Sequence, residues 1–312
     1  MFGFTKAQLR VGFYSKSCPR AESIVSSVIR EATQTEPRIP ALMLRLHFHD
    51  CFVEGCDGSI LIDNVADPER EAFGHQGLGG FVEVEKAKQQ LEVACPGVVS
   101  CADIVALAAR DAVVLSKGPF YAVQTGRRDG LVSSKALASE MPDADESIQV
   151  LKSKFRAKGL TDKDLVLLSA AHTIGTTACF FITSRLYSFG GRADQSDPAI
   201  NRNFLFQLKS QCPNNGDVNH RIPLDRTTGQ IFDDQILRNI RDGFAVIGSD
   251  ARLNDDIATK AILNMYVGGR GISKAKASFF AKEFAAAMVK MGQIGVKTGF
   301  NGEIRRKCNS FN

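Results

Sequence analysis

The reading turns on one stretch: Arg45-Leu46-His47-Phe48-His49-Asp50-Cys51. Positions four apart share a helical face, so Arg45 and His49 point the same way, and Phe48 flanks them. That face joins a permanent cation to a base that titrates near neutrality. The pair suits a reaction in which a small substrate gives up one proton while negative charge develops beside it. His47 faces away. A rival reading takes His47-Phe48-His49 as a zinc-hydrolase pair, which needs both histidines on one side of a strand. On a helix they diverge, and Arg45 would repel the metal.

Around the heptad the pattern is helical. Apolar spacing near the helical period predicts helices over 20–34, 41–52, 81–94, 101–116, 147–158, 172–187, 202–211, 258–270 and 273–291. The best strand is 121–125, closed by Gly126. Polar stretches over 133–146, 189–201 and 213–230 predict loops long enough to need a function or a tether. His172 lies in an apolar run with no carboxylate near it in sequence. By itself it reads as a core histidine. Phe280, Phe284, Met288 and Met291 recur at helical spacing and predict core packing.

At 312 residues, 44% apolar and 23% charged, the chain has the composition of a globular protein. Its net charge of +5 is scattered, with no basic stripe, so no nucleic-acid partner is expected. No apolar run approaches the ~18 residues of a membrane span. The N-terminus lacks a signal peptide's apolar stretch, and Ala7-Gln8 reads as the end of a cleaved one. Residues 1–7 are therefore taken as a remnant of processing or expression. Cysteines stand at Cys18, Cys51, Cys56, Cys95, Cys101, Cys179, Cys212 and Cys308. With no C-x-x-C pair, neither a redox dithiol nor a zinc ribbon is indicated. An even, dispersed set favours four disulfides and an oxidising compartment over free thiols. Spacing alone pairs only Cys51 with Cys56.

Several segments together resemble one family. They are Phe13-Tyr14 with Cys18-Pro19, Leu44 to Val53, Gly55-Cys56-Asp57-Gly58-Ser59-Ile60-Leu61, Val99 to Ile104, Gly126-Arg127-Arg128-Asp129, and Leu168 to Gly175. In order and content they resemble the secretory plant (class III) haem peroxidases, of the horseradish type, from Gln8 to Asn312. The resemblance implies a mainly α, two-lobed haem-peroxidase fold of about ten or more helices, with one haem b between the lobes and very little β. The distal lobe would be 8–145 with a C-terminal return over 273–312, and the proximal lobe 146–272, in a single domain.

The resemblance also implies the chemistry: hydrogen peroxide reduced to water while small phenolic or similar donors are oxidised in two one-electron steps. His172 would be the axial iron ligand, tuned by Asp250 at its other ring nitrogen. His49 would act as general base and then acid, Arg45 would stabilise developing charge, and Phe48 would line the pocket. Pro142, with Phe73 and Phe181, would meet the donor at the haem edge. Two calcium ions are implied. Asp50, Asp57, Ser59 and the carbonyls of Val53 and Gly55 match a distal site, with Glu69 acting through water. Thr173, Asp225, Thr228, Asp233 and the Ile231 carbonyl match a proximal one. The family's disulfides carry over as Cys18–Cys95, Cys51–Cys56, Cys101–Cys308 and Cys179–Cys212. A monomer, secreted to the extracellular space or cell wall and without a membrane span, is expected.

Three features depart from the family. His75 stands where an asparagine usually accepts the distal histidine's N–H. A neutral imidazole can accept a hydrogen bond and a protonated one cannot, so activity is expected to fail at higher pH on acidification than in relatives. The chain has no tryptophan; Tyr121 or Phe120 takes the place of the family's single one, which points to small donors. No Asn-x-Ser/Thr sequon is present.

Overall fold

The computed structural model describes residues 9–267 and 274–312. The expected remnant over 1–7 and the ends of the helices predicted over 258–270 and 273–291 lie outside the described residues. The chain divides into two compact units. The first comprises residues up to Leu115, Pro119–Met141 and Met288–Asn312; the second comprises Ser116–Gly118 and Pro142–Ala287.

Unit 1 is built on α1 (Ala21–Thr35), α2 (Ile39–Phe52), α3 (Phe81–Ala94) and α4 (Cys101–Leu115). Helix α1 buries Ala21, Val25, Val28 and Ile29 on one stripe, the spacing expected of a helix covering a core. It stops at Glu36, because Pro37 disfavours helical backbone before it. Helix α2 starts with Pro40 in its first turn, where the missing N–H costs nothing. Helix α4 is buried on nearly every side and packs against α1, α2 and α3. Strand signals shrink to a ribbon of β1 (Arg10–Val11) and β2 (Gln124–Thr125), antiparallel. The strand predicted over 121–125 thus keeps only its last two residues.

The Gly126-Arg127-Arg128-Asp129 segment is a buried polar spine. Arg127 Nη1 donates to Asp103 Oδ1 at 2.7 Å, and Asp103 Oδ2 accepts the Tyr14 hydroxyl at 2.7 Å. Asp129 accepts the Ala102 and Arg305 amides, both at 2.9 Å. Such groups are tolerated in a core because each has its partners. Gly126 adopts φ 114°, and a Cβ there would lie 2.8 Å from the Phe13 ring, so no other residue fits. Cys18–Cys95, Cys51–Cys56 and Cys101–Cys308 close this unit.

Unit 2 holds α5 (Ile148–Ala157), α6 (Asp162–Ser169), α7 (Thr183–Tyr187), α8 (Arg202–Gln211), α9 (Gln235–Arg241), α10 (Gly248–Arg252) and α11 (Ile257–Val267). Helix α12 (Lys274–Met291) belongs to unit 2 up to Ala287 and to unit 1 from Met288. Phe280, Phe284, Met288 and Met291 are buried along it. Helix α6 begins at a capping box in which Thr161 and Asp164 satisfy each other's amides.

The helix predicted over 172–187 is not formed. After α6 the chain makes a 3-10 turn over Ala170–Thr173, then β3 (Thr176–Ala178), a second 3-10 turn over Cys179–Ile182, and only then α7. The reason is local. Thr173-Ile174 and Thr176-Thr177 are β-branched and favour extended backbone, and Gly175 between them takes φ 97°. Strand β3 pairs antiparallel with β4 (Arg221–Pro223), which lies in the region read as a loop over 213–230. The expected loops over 133–146 and 189–201 carry 3-10 turns at Lys135–Glu140 and Phe189–Gly191. Cys179–Cys212 joins this unit's core cluster, which includes Ile182, Leu186, Phe204, Val246 and Ile247.

Candidate active site

In unit 1, α2 presents Arg45, Phe48 and His49 together. Arg45 is anchored by donating from Nη1 to the Gln76 carbonyl at 3.0 Å and from Nη2 to the Gly74 carbonyl at 3.2 Å. His49 is buried, and its Nδ1 has no hydrogen-bond partner among the described residues. Its protonation is held well below the ordinary range by burial, then by the charges of Arg45 and His75. Phe48 meets His49 edge-on at 5.5 Å between centroids. The face therefore offers a neutral base beside a fixed cation. His47 lies on the other side of α2, with Nδ1 3.6 Å from Cys51 Sγ. From opposite sides of α2 the two histidines do not converge on a common metal; burial and the Arg127 charge push His47 down to about 3.

His75 comes to the site from the 3-10 turn Phe73–His75. Its ring stands 4.8 Å from that of His49, nearly perpendicular at 78°. The contact is edge to face, and Nδ1 of His75, like that of His49, lacks a hydrogen-bond partner among the described residues. His75 Nε2 lies 3.2 Å from Met141 Sδ, a contact that the sequence could not signal across so many residues. Burial first, and Arg45 second, push His75 down to about 4, opposed by the Glu69 carbonyl.

In unit 2 the 3-10 turn after α6 carries His172, whose Nδ1 is 2.9 Å from Asp250 Oδ1. Asp250 is only 1% exposed. A carboxylate at Nδ1 fixes the proton there, which leaves Nε2 as the nitrogen with a lone pair to donate. Asp250 sits on the five-residue α10, too short for periodicity to announce.

The candidate cation ligands gather in two places. Near the end of α2, Asp50 Oδ1, Ser59 Oγ and both Glu69 carboxylate oxygens are buried with no hydrogen-bond partner among the described residues. Asp50 Oδ2 accepts the Gly58 amide at 3.0 Å, and Asp57 Oδ1 accepts the Ser59 amide at 3.0 Å. Lys297 reaches Asp57 Oδ2. Burial and the Asp50 charge push Glu69 up to about 9. In unit 2, the Thr173 and Thr228 hydroxyls both bridge Asp225 and Asp233, at 3.0–3.3 Å. Asn239 donates to Asp225 Oδ1 at 2.9 Å. Among the described residues no three His, Cys, Asp or Glu side chains form a metal-type group. The candidate ligands at both places are carboxylates and hydroxyls rather than imidazoles or thiolates, the hard-oxygen chemistry that suits calcium rather than zinc.

Pro142 is partly exposed directly after Met141, Phe73 is 57% exposed, and Phe181 is half-buried. All four disulfides that the resemblance implies are formed, and no cysteine is free among the described residues. No helix among the described residues is long and apolar enough to cross a membrane.

Comparison with known proteins identifies the family. The family model described as peroxidase matches residues 25–269. Peroxidase 43 of Arabidopsis thaliana is 58% identical over 100% of this chain and 94% of its own length. Peroxidase 13 of the same plant is 55% identical over 99% and 95%. Peroxidase N1 of Nicotiana tabacum is 49% identical over 97% and 90%. The chain therefore belongs to the peroxidase family, among the class III haem peroxidases of plants, which act on hydrogen peroxide.

Proposed function

We propose that His49, Arg45 and His172 carry the peroxidase reaction of this chain, with Asp250, Phe48 and His75 as their supports. The observation that carries the reading is the 2.9 Å contact between His172 Nδ1 and the buried Asp250 carboxylate. The donor set fits haem: an imidazole whose Nδ1 is already engaged by Asp250 would offer Nε2 to the iron. Haem held there would supply the redox chemistry: two electrons for peroxide and their recovery one at a time from two donors. The rest is done by the chain. Neutral His49 takes the proton from one peroxide oxygen and hands it to the other, which leaves as water. Arg45 stabilises the negative charge that grows as the O–O bond breaks. Phe48 keeps the pocket apolar and narrow.

The donors are small phenols or similar aromatics that bind near Pro142. Asp50, Asp57, Ser59, Glu69 and the carbonyls of Val53 and Gly55 hold one calcium. Thr173, Asp225, Thr228, Asp233 and the Ile231 carbonyl hold another. The orphaned buried oxygens of Asp50, Ser59 and Glu69 support the first, since buried acceptors without partners are costly. Four disulfides support secretion, and the chain is taken to act as a monomer.

Absorption spectra of the haem-loaded protein test the assignment. His172→Ala is expected to lose the signature of histidine-ligated iron. His49→Ala is expected to keep that signature but respond to peroxide about 10²–10⁴-fold more slowly. An unchanged axial-ligand signature in His172→Ala would refute the reading.

A further inference from the structure

Asp250 holds His172 with Oδ1, while its other oxygen, Oδ2, is buried with no hydrogen-bond partner among the described residues. Nη2 of Arg185 is in the same condition. Arg185 projects from α7 and is 2% exposed. Its Nη1 donates to the carbonyls of Ala245, Val246 and Ile247, the last two at 2.8 and 3.4 Å. Those residues lead directly into α10, and Asp250 is three residues beyond them. Arg185 Nε is paired with Asp197 Oδ2 at 2.7 Å, and the same oxygen accepts Arg252 Nη2 at 2.9 Å. Arg252 lies on α10, two residues past Asp250. The short helix is therefore gripped on both sides of its carboxylate.

The charges are linked as well. Arg252 Nε also meets the exposed Asp255 carboxylate at 3.1 Å, so two arginines face three carboxylates: Asp197, Asp250 and Asp255. Burial pulls the Arg185 guanidinium below its ordinary value, Asp197 opposes that through its hydrogen bond and charge, Arg252 adds to it, and Asp250 opposes it. Orphaned Nη2 and orphaned Oδ2 are thus opposite charges within one electrostatically linked cluster.

We propose that Arg185, with Asp197 and Arg252, is a positioning residue that holds the Asp250 carboxylate against His172 and so sets how strongly His172 donates to iron. The proposal rests on the reading of His172 as the axial ligand. A carboxylate at the ligand's N–H makes the imidazole more donating, which favours ferric over ferrous iron and lowers the reduction potential.

The test is the Fe(III)/Fe(II) potential of the haem-loaded full chain, measured by spectroelectrochemistry, together with circular dichroism to confirm folding. Asp250→Asn is expected to raise the potential. Arg185→Gln separates two roles by sign. Loss of a nearby positive charge, acting only as a field, lowers the potential. Loss of a grip on α10 raises it. We expect an upward shift of at least half that of Asp250→Asn, and no further rise when Arg185→Gln is added to Asp250→Asn. Arg252→Gln, at a side chain 17% exposed, tests the same point should Arg185→Gln fail to fold, and is expected to shift the potential upward by less. Unchanged or lowered potentials in both arginine variants, beside a raised one in Asp250→Asn, overturn the proposal alone. An unchanged potential in Asp250→Asn overturns the His172–Asp250 reading, and the proposal with it.

Discussion

His75 is buried beside His49 and Arg45, and both burial and the Arg45 charge oppose its protonation, pushing it down to about 4. An unperturbed histidine would protonate near pH 6.5. Here the neutral form persists through the whole ordinary histidine range, which places the expected loss lower, near pH 4. On acidification, the peroxide reaction should hold until about pH 4 and fall there as His75 gains its proton. His75→Asn should remove that fall, since an amide does not titrate. Stopped-flow rates against pH check this; coincident profiles for the two proteins would refute it. Arg45→Leu bears on the same residues twice. It removes the charge proposed to stabilise the breaking bond, with an expected cost of about 10²–10³ in rate. It also removes a charge that lowers both His49 and His75. The acid limb of the rate profile should therefore move to higher pH, and a rate loss with an unmoved limb would show that Arg45 does not tune the histidines.

Helices announce themselves when they are long and amphipathic. Apolar spacing predicts 81–94 and 202–211, the ranges that α3 and α8 occupy. It fails over 172–187, where apolar content mimics a helix while β-branched residues around Gly175 force a turn and a strand. Helices α9 and α10, of seven and five residues, are too short to show a period at all. The site follows the same division. Arg45, Phe48 and His49 are legible because one helix carries them at fixed spacing. His172, Asp250 and Arg185 are joined only by the tertiary fold, and their roles are legible through family resemblance or not at all. Met141 against His75 has no signal of either kind. His172 follows α6, whose capping box at Thr161 and Asp164 fixes where the helix begins. Thr161→Ala should cost about 1 kcal/mol of stability, read as a lower Tm. A Tm indistinguishable from that of the parent protein would mean that the cap is redundant in this setting.

At the scale of the molecule, each candidate calcium site abuts a residue proposed for the reaction: Asp50 follows His49 and Thr173 follows His172. The first also joins the end of α2 to Ser59, to Glu69 and, through Asp57 and Lys297, to the C-terminal segment. A ligand that binds only the native state stabilises it by ~2.7 kcal/mol at a hundredfold excess over Kd, which at this chain length is a rise in Tm of roughly 4 °C. Chelation should therefore lower Tm and peroxidase activity together, and calcium should restore both. Magnesium should not, because it demands a tighter octahedral shell. Ser59 sharpens this. Its hydroxyl is buried without a partner among the described residues, a condition that costs about 1–3 kcal/mol unless something supplies the missing contact. If calcium supplies it, Ser59→Ala should destabilise the calcium-loaded protein, since a ligand is lost. The same substitution should leave the chelated protein unchanged or more stable, since an orphaned hydroxyl is removed. Thermal melts of both proteins with and without calcium read that reversal of sign. The same shift in both conditions would mean that Ser59 has no part in holding the ion.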